Sequence, residues 1–206
     1  MKNNPQWLQW AVELQSLAQT GLAYCKDVYD SERYQRIRDI SAEMVSHMSE
    51  VPLDKVKDLF CCEGGYQTPK IDTRAAIFSE DKILLVREND GLWSLPGGWC
   101  DVNVSIAENT VKEAKEEAGL DVAATRLIAV LDSAKHNTTL CPYGICKFFV
   151  LCTAHGGSFV PNSETTESGY FSLDALPPLS VMKNNEQQIK TCFEAYRSPQ
   201  WVTIFD

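Results

Sequence analysis

The spacing of apolar residues changes near residue 65, and this change restricts the fold more than any other feature of the chain. Residues 5 to about 62 repeat apolar side chains every three or four positions, which is typical of helices that bury one face. After the sequence GGYQTPK, short runs of β-branched and apolar residues are typical of strands. We therefore expect a small all-α N-terminal domain, residues 1–65, followed by an α+β domain, residues 66–206.

Three helices are expected in the N-terminal segment. An apolar repeat that starts at Trp7 indicates the first helix, and Asp30 or Ser31 is the expected cap of the second. The third is expected to begin on Pro52, because proline is favoured at the first helical position. So short a segment buries little of its apolar surface alone, and we expect Trp7 and Trp10 in packing and at a homodimer interface.

Four strands and a closing helix are expected in the second domain. The strand runs are TRAAIFS, KILLVRE, TRLIAVLD and ICKFFVLCTA, and SEDK forms a turn between the first two. The segment HGGSFVPNSETTESGY is polar and is expected to be a loop. The run NNEQQIKTCFEAY predicts a helix near the C-terminus.

Composition excludes several classes of protein. Apolar residues make up 44% of the chain and charged residues 23%, which is the balance of an ordinary globular protein. The formal net charge of −9 disfavours binding along a long nucleic acid, which depends on lysine and arginine. Because the sequence has no secretion signal and no apolar run of about 18 residues, we expect a cytoplasmic protein that does not bind a membrane.

A helix is expected between Ser105 and Gly119. Ser105 and Glu108 have the spacing of a capping box, which begins a helix by bonding its free N–H groups. Gly119 suits the left-handed conformation in which many helices end. The residues expected to face the core are Ala107, Val111, Ala114 and Ala118.

Three carboxylates crowd one turn of this helix. Glu113, Glu116 and Glu117 are three and four positions apart, so their like charges repel. They also lie at the C-terminal end, where the helix dipole disfavours negative charge. A divalent cation removes this conflict, and Mg²⁺ prefers such oxygen ligands. The alternative is a solvated face on which Lys112 and Lys115 dilute the repulsion.

The segment GWCDVNVSIAENTVKEAKEEAGL, residues 98–120, resembles the Nudix box. The matching residues are Gly98, Glu113, Glu116, Glu117, Gly119 and Leu120. The likeness extends from about Ile71 to Leu179 and implies a Nudix α/β/α sandwich with a mixed sheet. Lys112 stands where the family has arginine, and Val104 stands where it has the first glutamate. Lysine keeps the charge without the rigid bidentate fork of arginine, which implies a looser geometry.

The resemblance implies a metal-dependent enzyme that hydrolyses a nucleoside diphosphate linked to another moiety. Mg²⁺ is the expected cofactor, and Mn²⁺ is the expected substitute. The N-terminal helices suit a subgroup that joins a helical domain to the Nudix fold, and we expect residues 1–65 to form a homodimer and to cap the substrate pocket. The implied metal-binding and catalytic residues are Glu113, Glu116 and Glu117, with a backbone carbonyl of Gly97 or Gly98 completing the metal ligands.

Candidates for the general base also lie outside the box. Glu164 and Glu167 fall where several family members carry a loop glutamate that approaches the attacked phosphate. His136 is a further candidate, because an imidazole moves protons near neutral pH. The alternative for each of the three is an ordinary solvated loop residue.

Four residues are candidates for substrate binding. Arg87 is expected to reach phosphate oxygens, unless it pairs with a nearby acid at the surface. Lys112 keeps a positive charge beside the box. Trp93 and Trp99 flank the Pro-Gly-Gly turn, where each could stack on a nucleobase, with burial as the alternative.

ADP-ribose is the expected substrate, cleaved to AMP and ribose 5-phosphate. The alternatives are CDP-choline, cleaved to CMP and phosphocholine, and a nucleotide sugar. Hydrolysis of a nucleoside triphosphate or an RNA 5′ end is a weaker alternative, as is a binding module that has kept the fold without the chemistry. The sequence does not choose among these, because loops recognise the base and the leaving group.

Overall fold

The computed structural model describes residues 5–137, 141 and 143–206. These residues form two compact units. The first contains the described residues up to Pro69 together with Cys141, Tyr143 and Gly144, and the second contains the rest. Within the described ranges, no helix is long and apolar enough to cross a membrane.

Three helices form the first unit, as the apolar spacing predicted. They are α1 (Gln6–Tyr24), α2 (Val28–Ser49) and α3 (Leu53–Phe60). Their inward faces meet in a core formed by Leu8, Ala11, Ala42, Val45, Val56 and Phe60. Trp7 packs against this core, whereas Trp10 is exposed. Packing within this unit therefore explains the position of Trp7 but not that of Trp10.

Both predicted helix starts in this unit are wrong by one to four residues. Asp27 caps α2, because its Oδ1 accepts two N–H groups of the first turn at 2.8 and 3.1 Å. Asp30 and Ser31 lie inside the helix, where neither can act as its cap. The third helix begins at Leu53, and Pro52 is the flanking residue before it.

The second unit contains all four predicted strands and the closing helix. In chain order its elements are β1 (Lys70–Ser79), β2 (Lys82–Glu88), β3 (Trp93–Ser94), α4 (Ile106–Ala118), β4 (Leu120–Asp132), α5 (Ser133–His136), β5 (Ile145–Gly157), β6 (Thr165–Phe171), a 3-10 turn (Leu173–Ala175), α6 (Glu186–Arg197) and β7 (Ile204–Phe205). Glu80 and Asp81 have positive φ in the predicted turn between β1 and β2. Such angles are typical of a tight β-hairpin.

The prediction of a polar loop was wrong for residues 155–157, which end β5, and for residues 165–170, which belong to β6. This strand pairs antiparallel with β2, from Ile83 opposite Phe171 to Glu88 opposite Thr165. Much of β6 is exposed, which is why its sequence TTESGYF is polar. An edge strand with polar side chains cannot be told from a loop by apolar spacing alone.

The strands form one mixed sheet. Their order is β3-β2-β1-β5-β4-β7, and β6 pairs with β2. The pairs β1–β5 and β4–β7 are parallel. The pairs β1–β2, β2–β3, β2–β6 and β4–β5 are antiparallel.

A helix covers each face of this sheet. Helix α4 packs on one face, where Ala114 and Ala118 join a core with Ile77 of β1. Helix α6 packs on the other face, where Phe193 joins a second core with Phe149 of β5. Successive side chains of a strand point to opposite faces, so the same strands contribute to both cores. The expected α/β/α sandwich is confirmed.

Candidate active site

Capping at both ends fixes the position of α4. The Ser105 hydroxyl accepts the N–H of Glu108 at 3.2 Å, and the Glu108 carboxylate accepts the N–H of Ser105 at 2.8 Å. Gly119 ends the helix at φ 70°, and a Cβ there would lie 2.2 Å from the carbonyl oxygen of Ser158. Only glycine fits such a position without displacing its neighbour. Both predicted ends of the helix are confirmed.

The apolar face of α4 is fully buried only toward the C-terminal end of the helix, although Ile106 at its start packs against the same core. Ala114 and Ala118 are fully buried, Val111 is half-buried and Ala107, in the first turn, is exposed. The prediction that Ala107 faces the core was therefore wrong. Helical spacing gives the direction of a side chain, but not how far along the helix the sheet extends.

Two of the three box glutamates point into the interior, and the third lies in solvent. Glu113 and Glu117 are only 8% and 5% exposed, whereas the Glu116 side chain is 57% exposed. An α-helix turns by about 100° per residue, so Glu117 is about 40° from Glu113 around the helix axis. Glu116 is about 60° from Glu113 in the opposite direction. The three carboxylates share one broad side of the helix, but only two are buried.

A loop beside β1 brings two glycines to the buried glutamates. Residues 95–100 are held to β1 by backbone hydrogen bonds of 2.8–2.9 Å. The N–H of Gly97 donates to Oε2 of Glu117 at 2.8 Å. A Cβ on Gly98 would lie 3.0 Å from Oε2 of Glu113. The absence of side chains thus lets the backbone approach both carboxylates.

Lys112 contacts the box carboxylates. Its Nζ lies 2.9 Å from Oδ2 of Asp101 and 3.6 Å from carboxylate oxygens of Glu113 and Glu116. The hydrogen bond to Asp101 and the charges of the glutamates raise the pKa of Lys112, so it remains a cation. Val104, the other departure from the family pattern, lies in the turn before α4, where its N–H donates to the carbonyl of Asp101 at 3.3 Å.

Burial raises the pKa of both interior glutamates. The pKa of Glu117 is raised to about 7, although the N–H of Gly97 and the charges of Arg74 and Lys183 oppose the effect of burial. The pKa of Glu113 is also raised, chiefly by burial. Each carboxylate is therefore costly to ionise in the metal-free protein.

The chemistry of these groups fits a divalent cation with oxygen ligands. A cation bound between the buried carboxylates would offset the unfavourable ionisation, and the ammonium of Lys112 already lies 3.6 Å from both Glu113 and Glu116. Mg²⁺ and Mn²⁺ prefer carboxylate and carbonyl oxygens. Among the described residues, however, no three His, Cys, Asp or Glu side chains are gathered closely enough to hold an ion. Binding would therefore require the three glutamates to converge.

A cavity of about 320 Å³ lies beside Glu117. Its walls are formed by Glu88, Asn89, Asp90, Glu117, Ser163, Glu164 and Lys183. Glu164, predicted as a candidate base, is thus in the same cavity as Glu117. Glu88 and Lys183 were missed by sequence reasoning, since no local motif marks either, and they form an ion pair of 2.6 Å.

Arg87 and Glu167 pair with each other at the surface. Nη1 of Arg87 lies 3.0 Å from Oε1 of Glu167, which faces it across β2 and β6. Nε of Arg87 also donates to the carbonyl of Gly91 at 3.3 Å. Both side chains are exposed, and neither lines the cavity beside Glu117. The structure therefore favours the alternative, in which Arg87 forms a surface pair with a nearby acid.

His136 lies with the C-terminal residue of the chain. Its Nε2 is 2.5 Å from Oδ2 of Asp206, and its carbonyl accepts Nδ2 of Asn185 at 2.8 Å. It does not line the cavity that contains Glu117. His136 thus lies outside the cavity, as Glu167 does.

The two tryptophans of the Pro-Gly-Gly turn have different surroundings. Trp93 packs edge-on against Phe171, with ring centroids 4.8 Å apart, and joins the core beneath α6. Trp99 is 51% exposed, and its backbone pairs with Asp72 of β1. Burial therefore accounts for Trp93, and Trp99 is the better candidate for stacking on a base.

A buried ion pair of β1, next to the loop of residues 95–100 (the glycine loop), was also missed. Nε and Nη2 of Arg74 donate to the two carboxylate oxygens of Asp72 at 2.9 and 2.5 Å, and both side chains are buried. Nη1 of Arg74 donates to the carbonyl of Leu95 at 3.3 Å. The sequence carried only part of the signal, because the predicted strand TRAAIFS contains Arg74 but begins one residue after Asp72. Residues two positions apart in a strand share one face.

Comparison with known proteins identifies both parts of the chain. Residues 5–60 match a family model described as a UDP-X-like, N-terminal oligomerisation domain. Residues 69–192 match the model of the NUDIX domain. A protein of Bacillus subtilis, YjhB, which is provisionally named an ADP-ribose pyrophosphatase, is 46% identical over 207 residues that cover the whole of both chains.

Two solved structures extend this comparison. The crystal structure of an ADP-ribose pyrophosphatase from Streptococcus suis is 62% identical with a TM-score of 0.64, and the match covers 68% of this chain and 100% of that one. The crystal structure of a UDP-X diphosphatase is 31% identical with a TM-score of 0.64, and it covers 99% of this chain and 100% of that one. Because the NUDIX model spans more than half of the chain and YjhB is similar along its entire length, this chain belongs to the NUDIX family of hydrolases.

Proposed function

We propose that this chain is a divalent-metal-dependent pyrophosphohydrolase that cleaves ADP-ribose to AMP and ribose 5-phosphate. The observation that carries the proposal is the geometry of the box, in which buried Glu117 accepts the N–H of Gly97 and buried Glu113 lies against Gly98. The names of YjhB and of the Streptococcus suis structure support ADP-ribose as the substrate.

The proposed metal is Mg²⁺, which Mn²⁺ can replace, held by the three box glutamates and a backbone carbonyl of the glycine loop. The carbonyl of Gly98 already accepts the N–H of Thr73 at 2.9 Å, so we favour the carbonyl of Gly97. When bound, such an ion polarises a diphosphate and lowers the pKa of a coordinated water. The N–H of Gly97 orients the Glu117 carboxylate before any ligand arrives.

Glu164 is the proposed general base. Of the three candidates outside the box, Glu164 is the one that lines the cavity beside Glu117. Asn162 stabilises the start of this segment, because its Oδ1 accepts the N–H groups of Glu164 and Thr165 at 2.9 Å each. Glu167 is paired with Arg87, and His136 with Asp206, so both are less suited to take a proton in this cavity.

A nucleotide sugar is the second candidate substrate. It is favoured by the likeness to the UDP-X diphosphatase, which covers 99% of this chain, and by the UDP-X-like description of the family model matched by residues 5–60. CDP-choline remains a third candidate, since the box acts on the diphosphate that all three substrates share. Trp99, exposed beside the glycine loop, is the side chain we propose to contact the base.

The N-terminal helices are proposed to form a homodimer. The description of the matched family model as an oligomerisation domain supports this, and so does the exposure of Trp10 on α1. Exposed aromatic residues of this kind are enriched at protein interfaces. Light scattering on the full chain is expected to give the mass of a dimer, and the mass of a monomer would contradict this part of the proposal.

A substrate panel tests the proposed activity. The protein is incubated with ADP-ribose, CDP-choline, UDP-sugars and NADH in Mg²⁺ or Mn²⁺, and the products are separated by chromatography. We expect ADP-ribose to give equal amounts of AMP and ribose 5-phosphate. Preferential cleavage of a UDP-sugar would select the second candidate, and hydrolysis of none of the panel would contradict the enzymatic proposal.

A further inference from the structure

A turn between the 3-10 segment and α6 carries a lysine to the cavity beside Glu117. Lys183 is 34% exposed at its side chain, and its Nζ lies 2.6 Å from Oε2 of Glu88. Glu88 is itself oriented by Ser94, whose hydroxyl donates to Oε1 of Glu88 at 2.8 Å. The ammonium of Lys183 is therefore held at a defined place in the cavity wall.

Buried polar side chains hold this turn to the sheet. Lys147 of β5 is 2% exposed, and its ammonium donates to the carbonyl oxygens of Met182 and Lys183. Nδ2 of buried Asn137 donates to the carbonyl of Val181 at 2.7 Å. A buried ammonium is costly unless its hydrogen bonds are made, and here the carbonyls of the turn accept them.

The same turn is joined to the glycine loop. Oδ1 of Asn184, which is fully buried, accepts the N–H of Leu95 at 2.8 Å. Leu95 begins the loop that carries Gly97 to Glu117. The Asn184 side chain thus links the turn that carries Lys183 to the loop whose Gly97 orients the Glu117 carboxylate.

Lys183 is the one cationic side chain among the described residues that line this cavity. The other charged residues of the lining are Glu88, Asp90, Glu117 and Glu164. An ammonium has three N–H donors, and Glu88 accepts one of them. The remaining donors can bind an anionic group that enters the cavity, where the other charged groups of the lining are all carboxylates.

We propose that Lys183 is a substrate-binding residue that contacts a phosphate of the diphosphate. This inference rests on the proposed function, because the phosphate is the one anionic group common to every candidate substrate. Lys183 belongs to the turn of residues 180–184 and supplies positive charge from the wall of the cavity. Its pairing with Glu88 keeps the side chain extended toward the cavity in the absence of substrate.

Calorimetric titration of ADP, CDP and UDP in Mg²⁺ tests this role without requiring turnover. Lys183→Gln is expected to weaken the binding of all three by about 10-fold or more, because it removes a hydrogen bond between two charged groups. The loss should be similar for the three bases, since the contact is to phosphate. Lys183→Arg, which keeps the charge, is expected to recover most of the affinity.

Lys190→Gln is the matched control, because it removes one positive charge from the exposed surface of α6, outside the cavity lining. It should bind the three nucleotides as the wild type does, and all variants should unfold in a single cooperative transition well above the assay temperature. Unchanged affinity in Lys183→Gln, a loss confined to one base, or no binding of any diphosphate by the wild type would overturn the proposal. Weaker binding by Lys183→Gln in a protein that hydrolyses none of the substrate panel would support the Lys183 contact and refute the proposed activity alone.

Discussion

Replacing Gly97 with alanine is expected to destabilise the second unit and to disturb the contact with Glu117. A Cβ at this position would lie 1.9 Å from the carbonyl oxygen of Thr73 and 2.9 Å from Cα of Arg74. Both are backbone atoms of β1, which is paired with β5 along most of its length, so neither can move without displacing the sheet. The φ of Gly97, 151°, is also one that an L side chain rarely adopts.

The loss of stability is estimated from the steric clash of the added Cβ and from the unfavourable φ. Overpacking a buried site costs about 1–3 kcal/mol, and holding a residue in a disfavoured backbone conformation costs about 1–3 kcal/mol more. We therefore expect Gly97→Ala to lower the free energy of unfolding by about 4 kcal/mol, which corresponds to a fall of about 8–16 °C in the thermal midpoint.

Scanning calorimetry on Gly97→Ala and on Gly156→Ala checks this reasoning. Gly156 also lies in a strand of the second unit, but nothing lies within 4 Å of a Cβ built there. The control variant should stay within about 1 kcal/mol of the wild type. A midpoint for Gly97→Ala within about 2 °C of the control would refute the steric argument for the glycine loop.

Three further predictions concern the same part of the structure. In metal-free protein, the contribution of Glu117 to the free energy of unfolding should fall by about 3 kcal/mol between about pH 4.5 and 7, because its pKa is raised to about 7 and the folded state binds the proton more tightly. Urea unfolding across this pH range checks this, and a wild-type slope equal to that of Glu117→Gln would contradict it. Arg74→Met should lose about 3–5 kcal/mol in urea unfolding, because it leaves Asp72 buried without its partner, and the double variant with Asp72→Asn should recover part of the loss; no recovery would argue against direct coupling. Ser105→Ala should lose about 1 kcal/mol by removing the cap of α4, and a thermal midpoint identical to the wild type would show that the cap contributes nothing.

The elements with local signals could be predicted from the sequence. Helix α4 is specified at its start by Ser105 and Glu108 and at its end by Gly119, all within about 15 residues. The strands of the core could be predicted because their apolar runs are short and bounded by turns. The three box glutamates were identified for the same reason, since their spacing lies within one helix.

The features that depend on distant parts of the chain could not be predicted. β6 is polar and exists as a strand because it pairs with β2, about 80 residues earlier, so apolar spacing gave no sign of it. Lys183 lines the cavity in a turn that buried Lys147, Asn137 and Asn184 hold in place from distant parts of the chain. Helical spacing likewise could not reveal that Glu117 would be buried and Glu116 exposed, since that depends on where the loop of Gly97 packs.

The most direct test of the account is hydrolysis of ADP-ribose by the wild type and by Glu117→Gln in Mg²⁺. Glu194→Gln, which changes an exposed glutamate of α6, is the matched control. We predict that the wild type and the control release AMP and ribose 5-phosphate at similar rates, and that Glu117→Gln is folded but slower by several orders of magnitude. Near-wild-type turnover by Glu117→Gln would contradict the role assigned to the box.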